Sequence, residues 1–470
     1  MSAGTRMSRR DFLRLGSVAA ASAALAACVQ PVAPAAPAPA AAETPAAAAA
    51  EPVTLRVMGF EVAPEEQGTP LDQAYKKFLA DFQAAHPEVK IESLETPPDA
   101  DTQLLVDLAA GTAPDVWQHD GSTLARVIDS GYVLDMRKAI EVVPELNLDR
   151  FFPSVLAIHQ RPDGAIYGLP NDFTPMVIYH NPEAYQRANV PLPTEDWTWD
   201  DLLEKAQLLT LDKDGRNRTD ANFDENNVVQ WGFRVRKWVF EWIYRTWQND
   251  SDVISPDGTT ASGYLDSPAS IEAIQFLADL MLKYKVAPTP SALDQMVQAL
   301  GFNDRFLKGE FANFDRGHWE LVGLRKSPEY KPERVAIVRQ PARKNHATVI
   351  YEAGWVVRAD VTGATLKAAA QFVEATTGRA YQDTKAITGI AIAANRASAE
   401  AAADNAEQPE LERAFLAAVA DGRPPYGSKF AKWPAVETIL DSMMERILAG
   451  GVVADEVAAA VTEINRELGA

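Results

Sequence analysis

Gly164-Ala-Ile-Tyr-Gly168-Leu-Pro170-Asn171-Asp172-Phe-Thr-Pro175-Met176-Val-Ile-Tyr179-His180-Asn181-Pro182 is the stretch around which the chain is organised. An Asp163-Gly164 turn opens it. Ala165 to Leu169 is small and apolar and reads as a short strand. Pro170 is expected to stop that strand, because proline has no N–H to give to a ladder. Asn171 to Pro175 reads as a polar, irregular break, and Met176 to Tyr179 as a second strand. Asn181-Pro182 then caps and starts a helix. Strand, polar break and strand is the pattern of a chain crossing from one lobe to another.

Upstream, Val53, Leu55 and Val57 alternate with polar residues, which predicts a strand. Leu71, Ala74, Tyr75, Phe78, Leu79 and Phe82 mark one helical face behind Pro70. Val89 and Ile91 give a second strand, Asp101 to Ala110 a helix stopped by Gly111, and Ala113 to Trp117 a third strand. The β-α-β-α-β order predicts a mainly parallel open sheet with helices on both faces. Ligands of such sheets sit at the carboxyl ends of strands. That singles out Phe60-Glu61 and Trp117-Gln118-His119-Asp120.

Downstream, Thr198 and Asp201 have the spacing of a capping box. Asp212, Asp214 and Asn217 place oxygen side chains around an Asp214-Gly215 turn, a partial calcium-loop pattern. Gly215 comes too early for the full loop and Arg216 replaces a ligand, so a solvated turn is the stronger reading. Val235 to Asn249 carries Trp238 and Trp242 at i, i+4, which places them on one helical face, with core packing the default. Ser267 and Pro268 are the N-cap and first residue of a strong helix. Val335 to Val338 reads as a return strand, Pro341 to Thr348 as a second crossover, and Gly389 to Ala393 as a further strand. Leu411 to Asp421, Pro434 to Ala449 and Val453 to Leu468 are closing helices.

Composition sets outer limits. A chain of 470 residues with 47% apolar and 23% charged residues is long enough for two or three domains with large cores. A net charge of −20 disfavours nucleic acid as a partner. A single cysteine excludes an internal disulfide framework.

Several segments resemble known families. Ser8-Arg9-Arg10-Asp11-Phe12-Leu13 resembles a twin-arginine export signal. Leu25-Ala26-Ala27-Cys28 resembles the lipobox of bacterial lipoproteins, which implies cleavage before Cys28 and lipid attachment to its sulfur. The Ala/Pro-rich run to residue 51 then reads as a tether. The Gly164–Pro182 stretch resembles the hinge segment of the family 1 extracellular solute-binding proteins, the carbohydrate-type receptors of ABC importers. Gly111-Thr-Ala-Pro-Asp115-Val-Trp-Gln-His-Asp120 resembles their G-x-x-P-D-V pattern, and maltose-binding proteins carry an aromatic, a His and an Asp here in the same order. Phe306-Leu-Lys-Gly309 through Gly317-His-Trp319 resembles their F-x-x-G … G-x-W segment, although core packing of Trp319 is the bland alternative.

The resemblance implies an α/β, two-lobed periplasmic-binding-protein-like fold of type II, each lobe an open, mainly parallel sheet flanked by helices. It divides the chain into a signal peptide (1–27), a tether (28–51), lobe 1 (52–169 plus 342–393) and lobe 2 (170–341 plus 394–470). It implies sugar contacts from Glu61, Asp120 and His119, and stacking by Trp319. Trp242 and Tyr426 fall where the family often places cleft aromatics, and Trp117, Asp172, Arg316, Glu352 and Trp355, within the resembling segments, are further candidate ligand contacts. Glu352-Ala353 stands where the family has glycines. The implied role is capture of a sugar or oligosaccharide for the permease subunits of an ABC importer, by a lipid-anchored monomer that needs no cofactor. A polyamine or glycerophosphodiester ligand is the alternative. An exported glycoside hydrolase is a third reading, for which the abundant carboxylates are no argument and no hydrolase motif is present.

Overall fold

The computed structural model describes residues 52–60, 67–97 and 99–470. Glu61, Cys28, the export signal and the tether lie outside them.

Two sheets carry the fold. The larger contains β1 (Val53–Met58), β2 (Val89–Leu94), β3 (Val116–Asp120), β4 (Leu169–Pro175), β10 (Thr348–Val357) and β11 (Ile392–Ala393), in the order β11-β4-β10-β3-β1-β2. β12 (Gly422–Arg423) joins it through β10. β1 pairs in parallel with β2 and β3, as the β-α-β order requires, while β10 runs antiparallel to both β3 and β4. The smaller sheet has β5 (Val177–His180) between β8 (Asn313–Arg316) and β9 (Ala336–Val338). A two-stranded ribbon is formed by β6 (Leu211–Asp212) and β7 (Val228–Gln230).

The passage between the two main sheets falls at Met176, beyond the expected break. Asn171 to Pro175 is not an irregular segment: it is the second half of β4, and its strand core is buried. Pro170 does not stop the strand either. It pairs opposite Gly354, where the β10 register shifts between Ala353 and Gly354, and a bulge tolerates the missing N–H. Ala165 to Tyr167 lies outside any strand.

Helix signals held where capping chemistry was local. Thr198 and Asp201 form the capping box of the Trp199–Leu209 helix, Ser267 caps Pro268–Leu282, and Asn181 caps Pro182–Ala188. Gly111 closes Ala100–Ala110 at φ 73°, in the left-handed region. The expected helix over 235–249 is different. Trp238 is extended, Val239–Glu241 is a single 3-10 turn, and only Tyr244–Gln248 is α-helical. Trp238 and Trp242 therefore do not share a face.

One apolar core lies under the β1–β2 end of the large sheet, built on Phe60, Phe78, Phe82, Trp355 and Phe372. Another, around Trp197, Trp242, Trp247, Met443 and Met444, joins the Pro268–Leu282 helix to the closing helices Trp433–Leu448 and Val453–Leu468.

Candidate functional site

β3 ends at Asp120, and the chain turns through Gly121-Ser122-Thr123. Asp120 Oδ1 accepts both the Ser122 N–H and its hydroxyl, each at 2.7 Å. Among the described residues Oδ2 accepts no hydrogen bond and the carboxylate has no ion-pair partner. The side chain is open to solvent, yet protein surrounds it closely enough that burial raises its pKa against the pull of Ser122. Accessible and walled in together describe the floor of a crevice. The turn is pinned from the far side: a Cβ on Gly427 would lie 1.5 Å from the Ser122 carbonyl oxygen, so only glycine lets the Tyr426–Ser428 turn approach.

Beside Asp120 stand aromatic rings from three segments. Trp238 stacks on Phe240 with centroids 4.7 Å apart and planes 9° apart. Phe240 stacks on Tyr351 of β10 at 4.2 Å and 20°. Trp319, folded back over Gly317, meets Tyr351 at 6.4 Å. Trp238, Phe240 and Trp319 are only partly buried. Ser122, Phe240, Tyr351, Tyr426 and Trp433 line one narrow crevice. Tyr351 is 9% exposed, and its hydroxyl has no hydrogen-bond partner among the described residues. Burial, then the charges of Glu437, Asp120, Glu241 and Asp441, raise its pKa well above the usual phenol value.

The Trp433–Leu448 helix supplies the remaining acids. Burial, followed by Asp441 and Asp120, pushes the Glu437 carboxyl up to about 7. Asp441 accepts the Val239 N–H at 2.7 Å and so fixes the turn that carries Phe240. Such a place combines flat apolar faces with unspent acceptors, which suits a ligand presenting both C–H faces and hydroxyl or amino donors.

The sequence-predicted residues divide sharply. Asp120 and Trp319 adjoin this crevice, through Ser122 and Tyr351 respectively. Tyr426 lines it with its ring, stacked on Trp433 at 4.4 Å, while its hydroxyl is committed to Asp252 and to the Trp247 indole N–H at 2.6 Å. His119 is buried with both ring nitrogens occupied, by the Trp117 indole and by Thr123 at 3.3 Å each, and burial lowers its pKa. Its role is to hold the β3 turn. Trp117, Trp242 and Trp355 are core residues in three separate clusters, with no face left for a ligand. Glu352 points inward to His159 Nε2 at 2.7 Å, and both side chains are fully buried. Asp172 pairs with Lys385 at 2.5 Å. Arg316 is spent on Glu241 at 2.6 Å and Glu320 at 2.8 Å, its guanidinium over the Trp238 ring.

The calcium pattern is a closed turn. Asp212 accepts the N–H groups of Asp214, Arg216 and Asp224 and the Arg216 guanidinium. Burial would raise its pKa, but these donors hold it at about 2. Arg216 also pairs with Asp214, and Asn217 accepts from Thr219, so a guanidinium stands where a cation would. Among the described residues no group of three or more His, Cys, Asp or Glu is placed to hold a metal.

Sequence reasoning missed Phe240, Tyr351, Glu437 and Asp441, and set Trp238 aside as core. Trp238 carried a usable signal in its neighbours Arg236 and Lys237, which are out of place on a core face. Glu437 carried none, since only the fold brings it near Asp120.

Residues 76–413 match the family model described as bacterial extracellular solute-binding protein. The chain belongs to that family. An uncharacterized lipoprotein of Streptomyces antibioticus is 27% identical over 170 residues, 36% of each chain. An arabinooligosaccharide-binding protein of Halalkalibacterium halodurans is 26% identical over 186 residues, 39% of this chain and 37% of that one. A sn-glycerol-3-phosphate-binding periplasmic protein, UgpB of Agrobacterium fabrum, is 21% identical over 164 residues, 32% and 34% of the two chains. The chain thus spans little more than a third of the length of these relatives. Among solved structures, the ABC substrate-binding protein Lmo0181 of Listeria monocytogenes, in complex with cycloalternan, superposes with TM-score 0.71 at 21% identity, covering 89% of this chain and 100% of that one. The sugar-binding protein MalE of Xanthomonas citri gives TM-score 0.73 at 16% identity, covering 89% and 98%. At these identities the likeness is one of fold, the two-lobed α/β architecture of substrate-binding proteins. The family is extracellular and made of solute receptors, and this solute-binding protein shares its exported character.

Proposed function

We propose that this protein captures a sugar or oligosaccharide outside the cytoplasm and delivers it to the permease subunits of an ABC importer. The observation that carries the reading is the partly open stack Trp238–Phe240–Tyr351, with Trp319 beside it and the unpaired Asp120 at its foot. Pyranose C–H faces pack on such rings, while hydroxyls donate to the carboxylate. An arabinooligosaccharide-binding relative and a cycloalternan-bound structural neighbour agree with it. Binding draws the lobes together about the crossings at Met176 and at 339–347. Cys28, lipidated, tethers a monomer to the membrane surface through the Ala/Pro-rich segment. The protein acts as a receptor and not as a hydrolase.

The glycerophosphodiester alternative draws on the UgpB relative. Against it, the arginines nearest the stack, Arg234, Arg236 and Arg316, all converge on Glu241. Isothermal titration of the purified protein against maltose-, cellulose-, arabinan- and chitin-derived oligosaccharides, with sn-glycerol 3-phosphate and spermidine alongside, tests the reading. One sugar series should bind with micromolar or better affinity and raise the melting temperature. Binding of the phosphate ester or the polyamine alone would replace the sugar reading.

A further inference from the structure

The acids around the stacked rings are short of cations. Asp120 and Glu437 flank the crevice on different elements: Asp120, at the end of β3, is hydrogen-bonded to the lining residue Ser122, and Glu437 lies one turn along the Trp433–Leu448 helix from the lining residue Trp433. Asp120 and Asp441 add to the charge felt by Glu437, and Asp101 adds to that felt by Asp120. Among the described residues, Asp120, Glu437 and Asp101 have no ion pair. The Trp433 indole is the polar neighbour of Glu437. The cations on this side are engaged elsewhere: Arg234, Arg236 and Arg316 with Glu241, and Lys237 with Glu445 at 2.6 Å.

A second observation points into the same space. Tyr351 is nine-tenths buried, yet its hydroxyl hydrogen-bonds to no described residue and is not sealed from solvent, and it lies within the field of Glu437, Asp120, Glu241 and Asp441. Its ring and those of Phe240 and Trp238 present π-faces, which attract cations. A neutral sugar would leave uncompensated like charges facing one another across it. A protonated amine would meet both carboxylates and the rings.

We infer that the solute is cationic: a sugar or oligosaccharide bearing a basic amino group, held between Asp120 and Glu437 over the Tyr351–Phe240 rings. This rests on the sugar-capture reading and narrows it. The net charge of −20 favours the same ligand by drawing cations toward the protein.

Calorimetric titration at pH 7.5 and low salt tests it with matched series: glucose and galactose monomers and short oligomers, their free-amine counterparts, and their N-acetylated counterparts. The acetylated series keeps the shape and removes the charge. The expected result is a free-amine ligand bound about tenfold or more tighter than its acetylated and neutral partners. Glu437→Gln and Asp120→Asn should each shrink that ratio several-fold while the variants melt cooperatively. Neutral sugars that bind as tightly as amines, or a ratio unchanged in both variants, overturn the inference and leave sugar capture standing. Failure of every sugar to bind overturns both.

Discussion

Asp120 and Glu352 lie on adjacent antiparallel strands, with the Gly121 N–H donating to the Glu352 carbonyl oxygen at 2.9 Å. Asp120 ends open to solvent with one oxygen free. Glu352 is sealed against His159, with Oε2 left without a partner. Glycines make room for the sealed pair. A Cβ on Gly121 would stand 2.8 Å from Glu352 Oε2, and one on Gly354 would stand 2.4 to 2.5 Å from the His159 ring and Glu352 Oε1. Burial lifts the Glu352 pKa to about 7 even with His159 pulling it down. Two carboxylates one hydrogen bond apart thus have opposite work. One is spent inside the protein on holding the turn, which leaves the other unspent at the surface of the crevice.

The comparison breaks hardest at His159. Its replacement by Ala would strand a fully buried carboxylate and open a hole beneath the Asp120 turn. Removing one partner of a buried pair costs about 3–5 kcal/mol. His159→Ala should therefore lower the melting temperature by many degrees, and Asp120→Ala by little, in the same calorimetric scan. Equal losses would mean that Asp120 is structural too.

How far this division can be read from sequence depends on the range of the interactions. Caps, glycine stops and the β-α-β order are local, and the Thr198–Asp201 box and the Ser267–Pro268 start were read correctly. β4 was misread because Asn171 to Pro175 looks like a polar break, whereas its partners on β10 and β11 are remote in sequence. The site suffered in the same way. The places of Asp120 and Trp319 beside the candidate crevice follow from motifs at the ends of strands. Whether Glu352 faces in or out depends on His159, and whether Trp238 or Trp242 is exposed depends on a 3-10 turn held by Asp441. Resemblance gave the positions of aromatic and acidic residues but not their directions.

The aromatic half of the contrast is sharpened by truncating one ring on each side of it. Phe240 is partly open between Trp238 and Tyr351, while Trp242 is buried with its indole N–H donating to the Lys237 carbonyl at 3.0 Å. Phe240→Ala should cost about 2 kcal/mol of ligand binding, as central aromatic anchors do, with a small change in melting temperature. Trp242→Ala should cost stability first. Titration and melting of the two variants side by side separate a binding ring from a core ring, and a Phe240→Ala protein with unchanged affinity removes the stack from the site.

The smallest effect is a matter of pH. Glu437 sits at about 7 in the folded protein against an ordinary 4.5, so the fold holds its proton more tightly than the unfolded chain does. Between those two values folding takes up a proton. The stability this group contributes is complete below about pH 4.5 and is lost as the pH rises through 7. Burial is the first cause, with Asp441 one turn along the helix and Asp120 across the crevice adding repulsion, and the Trp433 indole opposing them. Glu437→Gln keeps the side-chain shape and removes the titration. It should match the parent protein near pH 4 and exceed it above pH 7 by roughly 1 kcal/mol, the full shift being discounted for a side chain that is only partly buried. Melting curves at pH 4, 6 and 8 read this directly. A ligand amine placed between the two carboxylates should erase the difference, because it replaces the missing countercharge at the pH where Glu437 is ionised.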